Sequence, residues 1–190
     1  MTDAEFELVD ELVTFDKIAR AEAVMAPFRG LRVLPNWLGH CVEIQRISLR
    51  DNEIAELPES FGRLRNLEVC FLGGNALTRL PETFGNLAAL NDLGLEENRL
   101  ATLPLSFGRL RAMEILNLHH NRLTTLPDTF GHLNRLTHLN LSFNELMSLP
   151  ETFDQLQELQ DVDITHNQLT SMPAHLPRAS RSLWWPAARA

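Results

Sequence analysis

The sequence predicts an α/β solenoid in which every coil contributes one short strand and one short helical segment. Proline recurs every 23 residues, at positions 35, 58, 81, 104, 127, 150 and 173, and asparagine keeps the same interval at positions 52, 75, 98, 121, 144 and 167. A fixed period of this length is the signature of stacked repeats, because one such unit cannot bury its apolar side chains alone.

Alternation of apolar and variable residues marks the strand of each unit. In the pattern Leu-x-x-Leu-x-Leu-x-x-Asn, the central Leu-x-Leu has the period of two that is typical of a strand. Leu93 and Leu95 are therefore expected to point into the core, and Gly94 between them to point outward. Stacked coils would place residues that are 23 apart side by side on neighbouring strands.

The residues after each proline predict a helical turn on the opposite side of the coil. Proline lacks the N–H group that the first helical position would leave unpaired. An acidic residue often follows, as at Glu59 and Glu82, where the helix dipole favours negative charge. Glycine at positions 62, 85, 108 and 131 is expected to end the turn. Phenylalanine recurs in the same segment and predicts a stacked spine of Phe61, Phe84, Phe107, Phe130 and Phe153.

These units resemble the leucine-rich repeat family, in the 23-residue variety LxxLxLxxNxLxxLPxxFGxL found in bacterial and plant intracellular members. The resemblance covers about residues 34–172. It implies a curved solenoid with a parallel β-sheet on the concave side and short helical or 3-10 segments on the convex side. It also implies that the repeated asparagines hydrogen-bond backbone groups of adjacent coils, a structural role assigned to Asn52, Asn75, Asn98, Asn121, Asn144 and Asn167.

The chain divides into three predicted parts. Residues 1–33 form an N-terminal capping helix and a degenerate first coil, residues 34–171 form six 23-residue repeats, and residues 172–190 form a partial repeat and C-terminal cap or tail. Apolar residues at helical spacing within residues 5–26 predict the capping helix, which would cover the first leucines. Leu183, Trp184 and Trp185 are expected to fold back as an apolar lid. A stub of a following module and a docking tail are the alternatives.

Composition and charge exclude several classes of protein. The formal net charge of −8 argues against nucleic-acid binding, which needs a basic face. No apolar run reaches the roughly 18 residues of a membrane span. The N-terminal segment is acidic where a secretory signal would be basic. Cys41 and Cys70 fall on leucine positions and are expected to be buried free thiols, which favours the cytoplasm, with delivery into a host cell as an effector left open.

The sequence carries no enzyme signature. The motifs GxGxxG, GxxxxGK[ST], CxxC, HExxH and GxSxG are all absent, so the chain is predicted to be non-enzymatic, with no cofactor and no metal. Glu96, Glu97, His119 and His120 could in principle surround a divalent cation. Successive strand residues face opposite ways, however, so four convergent ligands are not expected. A metal-dependent hydrolase is the third and weakest hypothesis.

The outward strand positions are acidic. They carry Asp51, Glu68, Asp92, Glu96, Glu97, Glu114, Asp161 and Asp163, against Arg46 and Arg50. The predicted function is therefore a protein-interaction module that binds a basic protein or peptide on its concave face. The alternative is the substrate-recognition arm of a larger bacterial effector, ubiquitin ligase or kinase. A monomer is expected, and a dimer through exposed strands or faces stays open.

Phe71 is the centre of the predicted binding site, because an apolar ring is unexpected at an outward strand position. Small neighbours, Gly73 and Gly94, would leave room around it, and an aromatic anchor beside charge is typical of interface hot spots. The predicted site residues are Phe71, Val69, Asp92, Glu96, Glu97, Ile115, Asn117, His119, His138 and Asn140. The register further predicts that Glu96 flanks His119, Glu97 flanks His120 and Asp161 flanks His138, with Phe143 between His120 and His166.

Overall fold

The structure, a computed structural model, describes residues 21–170 and the backbone of residues 182–184. Its strands form one parallel sheet in which each strand pairs with the next along the chain. They are β1 (Ala23–Met25), β2 (Arg46–Ser48), β3 (Val69–Phe71), β4 (Asp92–Gly94), β5 (Ile115–Asn117), β6 (His138–Asn140), β7 (Asp161–Asp163) and β8 (Ser182–Trp184). Every pairing joins residues that occupy equivalent positions in consecutive coils, as Val69 with Asp92 and Phe71 with Gly94.

Within the described residues, the segment after each repeat proline from Pro35 to Pro150 is a 3-10 helix. The six segments are η1 (Asn36–His40), η2 (Glu59–Arg63), η3 (Glu82–Asn86), η4 (Leu105–Arg109), η5 (Asp128–His132) and η6 (Glu151–Gln155). Each proline stands just before its segment with extended backbone, as Pro81 does at φ −67° and ψ 152°. Its carbonyl accepts the first hydrogen bond of the turn, from the Phe84 N–H at 2.9 Å in this coil. Strand and 3-10 segment alternate as the repeat predicted.

The phenylalanine spine shows why the coil stack is curved. Consecutive rings from Phe61 to Phe153 lie nearly parallel, with centroids 6.1 to 6.4 Å apart. Neighbouring strands are only about 4.8 Å apart. Because the coils are spaced more widely at the rings than at the strands, the sheet lies on the inner, concave side. All five rings are fully buried, and the predicted parallel-sheet solenoid is confirmed.

The asparagines at the end of each strand segment join neighbouring coils. Asn98 donates from Nδ2 to the Leu72 carbonyl of the preceding coil at 3.0 Å and to the Leu95 carbonyl of its own coil at 3.2 Å. Its Oδ1 accepts the Leu77 N–H, again from the preceding coil, at 3.0 Å. The same bonds recur at Asn52, Asn75, Asn121, Asn144 and Asn167.

The glycines of the 3-10 segments have a different role from the predicted one. They lie inside the segments rather than after them, and none has the positive φ of a glycine that ends a helix. A Cβ atom on Gly85 would lie 2.1 Å from the Ser106 carbonyl oxygen of the next coil. Equivalent clashes of 2.0 to 2.1 Å occur at Gly39, Gly62, Gly108 and Gly131. The sequence needs glycine here because adjacent coil backbones approach closely.

The two ends of the chain are described only in part. Val24, Ala26 and Leu31 of the first coil are buried, and β1 is as long as the other strands. At the other end, the β8 backbone pairs with β7 in the same parallel sense. The predicted N-terminal capping helix, and the side chains of the predicted lid, lie outside the described residues. Cys41 and Cys70 are both buried free thiols, and burial raises the pKa of each.

Candidate functional site

Four rows of side chains cross the concave face, each with one residue per coil. The first position of the strands carries Arg46, Val69, Asp92, Ile115, His138 and Asp161, and the third carries Ser48, Phe71, Gly94, Asn117, Asn140 and Asp163. Two further rows follow the strands: Arg50, Gly73, Glu96, His119, Ser142 and Thr165, then Asp51, Gly74, Glu97, His120, Phe143 and His166. The repeat thus turns the linear sequence into a grid of neighbours.

Arg50, Phe71, Asp92 and Glu96 form a compact group that we call the Phe71 cluster. The Arg50 guanidinium carbon lies over the Phe71 ring, 4.6 Å from its centroid. Its Nη1 atom donates to Glu96 Oε1 at 2.6 Å. Arg50 and Glu96 are two coils apart in the same row, and the intervening residue is Gly73. The glycine lets the two side chains meet directly above it.

Burial changes the electrostatics of the Phe71 cluster. Glu96 is only 6% exposed, and its Oε2 atom is buried without a hydrogen-bond partner among the described residues. Desolvation raises the pKa of Asp92 above its ordinary value; the Arg50 cation opposes this rise and the Glu96 anion adds to it. Arg50 therefore forms its ion pair with Glu96, while Asp92 lies within the electrostatic influence of both groups.

A shallow groove of about 380 Å³ lies over β5, β6 and β7. We call it the His138 groove; its outward side chains are Ile115, Asn117, His138, Asn140, Asp161 and Asp163. His138 Nε2 lies 3.1 Å from Asp161 Oδ2, and Ile115 is 44% exposed beside it. The Asn140 Oδ1 atom accepts from the Ser142 N–H and hydroxyl at 3.0 and 2.7 Å. This amide therefore fixes the turn after β6.

The last row forms a rim of side chains on strained backbone. Every non-glycine residue in it has a positive φ, between 52° and 55°, a region that costs such residues about 1 kcal/mol or more. Within this rim the Phe143 ring stacks between His120 and His166, with centroids 4.2 and 4.0 Å away. His120 Nδ1 also lies 2.7 Å from His119 Nδ1. The rim therefore presents a continuous aromatic edge.

Comparison with known families decides what kind of solenoid this is. A family model described as "Leucine-rich repeat region" matches residues 83–176, and one described as "Leucine rich repeat" matches residues 42–100. Together the two matches span residues 42–176. The chain belongs to the leucine-rich repeat family. No relative of this leucine-rich repeat chain was found among curated protein sequences.

Solved leucine-rich repeat structures share the fold. The plant peptide hormone receptor RGFR1 in complex with RGF2 is 27% identical over 76% of this chain, with a TM-score of 0.68. The leucine-rich repeat ectodomain of the membrane receptor kinase GASSHO1/SCHENGEN3 from Arabidopsis thaliana, in complex with CASPARIAN STRIP INTEGRITY FACTOR 2, is 30% identical over 78% of this chain, with a TM-score of 0.65. The chain spans 24% and 18% of the lengths of these two proteins.

The leucine-rich repeat geometry divides the predicted site residues into three groups. Phe71, Asp92 and Glu96 meet in the Phe71 cluster, with Val69 beside Asp92 in the strand register. Ile115, Asn117, His138 and Asn140 line the His138 groove. Glu97 lies in the rim, and His119 contacts the rim residue His120. The predicted site is therefore spread across the face rather than gathered at one point.

Some of the predicted neighbours are correct, and one carboxylate has a different partner. His138 pairs with Asp161, and Phe143 lies between the two histidines, as the register predicted. Glu96 and His119 are neighbours in their row, as predicted, but the Glu96 carboxylate does not form its ion pair with that histidine. Glu96 pairs with Arg50 instead, because the missing side chain at Gly73 opens a path toward the N-terminal coils. The open space predicted around Phe71 is likewise filled, by Arg50 and Glu96 above Gly94.

Sequence reasoning missed two features of this face. It assigned no role to Arg50, although Arg50, Gly73 and Glu96 are separated by 23 residues and so share one row. Opposite charges separated by glycine in the same row are a signal that could have found the ion pair. It also left the aromatic rim out of the site, although His120, Phe143 and His166 share the same interval.

The described residues contain neither a cluster that could hold a metal ion nor a helix that could span a membrane. Within residues 21–170, no three His, Cys, Asp or Glu side chains lie close enough together to hold a metal ion. Of the four residues considered as ligands, Glu96 pairs with Arg50, and His119 and His120 contact each other. The described part of the chain has no helix with the length and apolar character needed to cross a membrane.

Proposed function

We propose that this leucine-rich repeat chain is a non-enzymatic interaction module that binds a basic protein or peptide segment on its concave face. The observation that carries the proposal is the charge of that face, where the four rows carry six carboxylate side chains against two arginines, Arg46 and Arg50. Arg50 is already paired internally with Glu96. The net negative potential would steer a cationic segment toward the sheet and fix its orientation.

The shape of the face supports the same proposal. The His138 groove offers an exposed apolar side chain, Ile115, between polar groups that include Asp161 and Asp163. A groove of this kind suits an extended segment that alternates apolar and basic side chains. The two similar plant receptors were solved in complex with RGF2 and with CASPARIAN STRIP INTEGRITY FACTOR 2. A cytoplasmic location accompanies the proposal and is supported by the two buried free thiols.

Site-specific photo-crosslinking in the native lysate tests which face binds. A benzophenone amino acid replaces Ile115 on the concave face in one variant and Val42 outside it in a matched control; both native residues are 44 to 46% exposed. We expect protein adducts that depend on position 115 and weaken as salt rises, because salt screens charge steering. Equal adducts from both positions, or adducts from position 42 alone, would contradict a concave binding face.

The recognition-arm alternative uses the same face within a larger protein. It differs in predicting a catalytic domain encoded next to this segment, which the neighbouring coding sequence would reveal. Crosslinking at position 115 would then capture a substrate of that domain.

A further inference from the structure

The Phe71 cluster contains a buried carboxylate, Glu96, in which only one of the two oxygen atoms has a hydrogen-bond partner among the described residues. Glu96 Oε1 accepts from Arg50 Nη1 at 2.6 Å, with 8% of the glutamate side chain exposed. Glu96 Oε2 has no hydrogen-bond partner among the described residues. A buried acceptor without a partner costs free energy, and a charged one costs more. Such atoms in a folded protein call for a specific explanation.

Two glycines make room for this carboxylate. A Cβ atom on Gly73 would lie 2.4 Å from Glu96 Oε1, and one on Gly94 would lie 2.9 Å from Glu96 Oε2. The same Gly94 Cβ would also lie 3.1 Å from the Phe71 ring. The carboxylate therefore lies against the sheet above both glycines, beside the aromatic ring. Side chains at either position would remove the pocket.

The surroundings of Arg50 are those that proteins use to bind arginine. A guanidinium prefers an aromatic face on one side and a carboxylate in its plane, where two parallel N–H···O bonds can form. Arg50 has the aromatic face of Phe71 at 4.6 Å. It reaches only one oxygen of Glu96, although Asp92 supplies a second carboxylate nearby. Its side chain is 41% exposed, so it can leave the pocket without unfolding the sheet.

We propose that the Phe71 cluster is a receptor site for an arginine side chain of the partner, and that Arg50 occupies it in the free protein. This inference rests on the proposed function, since it names the side chain that the acidic face recognises. A partner arginine entering from the open face can engage both oxygens of Glu96 and stack on Phe71. Arg50 is then released into solvent.

The proposal makes an unusual prediction about Arg50. Removing a side chain from a binding face normally weakens binding, whereas vacating an occupied pocket should strengthen it. The probe is N-acetyl-arginine N-methylamide, titrated into 15N-labelled protein while the amide resonances of Gly73 and Gly94 are followed by NMR. We expect Arg50→Ala and Arg50→Gln to bind this probe about tenfold more tightly than the parent does, the value of one charge-assisted hydrogen bond.

Three controls isolate the pocket from general charge effects. Arg46→Ala removes the same charge from the same coil outside the cluster and should leave binding of the probe within about twofold of the parent. Glu96→Gln added to Arg50→Ala should reverse the gain. N-acetyl-citrulline N-methylamide, which has the same shape without the charge, should bind none of the variants measurably.

Specific results would overturn the proposal. Equal affinities of the Arg50 and Arg46 variants would reduce the effect to overall charge, and a weaker Arg50 variant would make Arg50 part of the binding surface. Two-dimensional spectra of each variant establish that it is folded, and Arg50→Gln retains an amide donor toward Glu96 if Arg50→Ala does not fold. Because the probe is a single residue, its failure leaves the crosslinking test of the concave face unaffected.

Discussion

From Asn75 to Asn167, one asparagine in each coil hydrogen-bonds four backbone groups at once. Asn98 donates to the carbonyls of Leu72, Leu95 and Glu96 and accepts from the Leu77 N–H. These groups lie where the chain turns out of the strand and can no longer pair within the sheet. The asparagine side chain supplies the hydrogen bonds that a neighbouring strand would otherwise provide, and it satisfies buried backbone groups in two coils.

Asn98→Ala should therefore lower the free energy of unfolding by about 1–3 kcal/mol, the usual cost of leaving buried backbone groups unpaired. Urea unfolding followed by circular dichroism measures the change. Asn86→Ala is the matched control, because Asn86 is exposed in η3 and surface substitutions usually stay within about 0.5 kcal/mol. A similar midpoint for both variants would show that the ladder contributes little stability.

Asp92 should make stability depend on pH in an unusual direction. Burial raises its pKa in the folded state, so the ionised group opposes folding at neutral pH, and this cost disappears as the pH falls through the folded-state pKa. Asp92→Asn should raise the stability at pH 7, by less than about 1 kcal/mol because solvent reaches the group. The advantage over the parent should shrink toward pH 4 in thermal melts. A constant difference between Asp92→Asn and the parent across this pH range would show that the gain does not come from the ionisation of Asp92.

The 3-10 segments of neighbouring coils approach each other closely at their glycines. Their backbones approach so closely that a Cβ atom on Gly85 would overlap the Ser106 carbonyl of the next coil. The glycine at this contact and the proline before each segment together allow the chain to cross the convex side in a short 3-10 turn. Glycine is therefore required at the positions where the backbones of neighbouring coils lie closest together.

Gly85→Ala should be among the most damaging small substitutions in this protein. Overpacking costs about 1–3 kcal/mol and occasionally more, and here the clash is with backbone that cannot rotate away. Gly30→Ala is the informative comparison, since Gly30 has a φ of +65° with no atom within 4 Å of its added Cβ. It should cost only the left-handed conformation, about 1 kcal/mol. Chemical denaturation that ranks the two variants in the opposite order would contradict the packing explanation.

At the scale of the molecule, stability is transmitted from coil to coil. Each ring of the spine stacks on the next at 6.1 to 6.4 Å, and each asparagine bonds to the coil before it. Such stacks behave as a chain of nearest-neighbour interactions. A defect in the middle therefore weakens contacts on both sides.

Phe107→Ala tests this transmission in the central coil. The cavity left by a buried ring should cost about 3–5 kcal/mol, and the urea transition should broaden or split as the two halves uncouple. Phe143→Ala removes a ring of the same size that is 43% exposed in the rim, and we expect it to cost less than about 1 kcal/mol. A Phe107 variant that unfolds at the parent's midpoint would mean that the spine does not couple the coils.

The repeat made most of this fold predictable, because a 23-residue interval fixes strand register, spine and asparagine ladder together. It also fixed the rows, and so predicted the contact of His138 with Asp161. The repeat does not determine which of several neighbouring residues a long side chain pairs with. Glu96 could pair with His119 or with Arg50. It pairs with Arg50 because Gly73, which lies between them, has no side chain in the way. The glycines of the 3-10 segments were predicted to end the turn, whereas they are needed where two backbones approach closely. Such an approach between coils leaves no pattern in the local sequence.

The ion pair across Gly73 has a consequence for how this protein can change by gene duplication. A whole additional 23-residue unit inserted after β5 would lengthen the solenoid and leave its register and the Phe71 cluster intact. The same unit inserted between residues 73 and 96 would also fold, yet it would move Glu96 about 4.8 Å farther from Arg50. Unequal recombination between repeats can therefore erase or preserve the pair, depending only on which coil boundary it crosses.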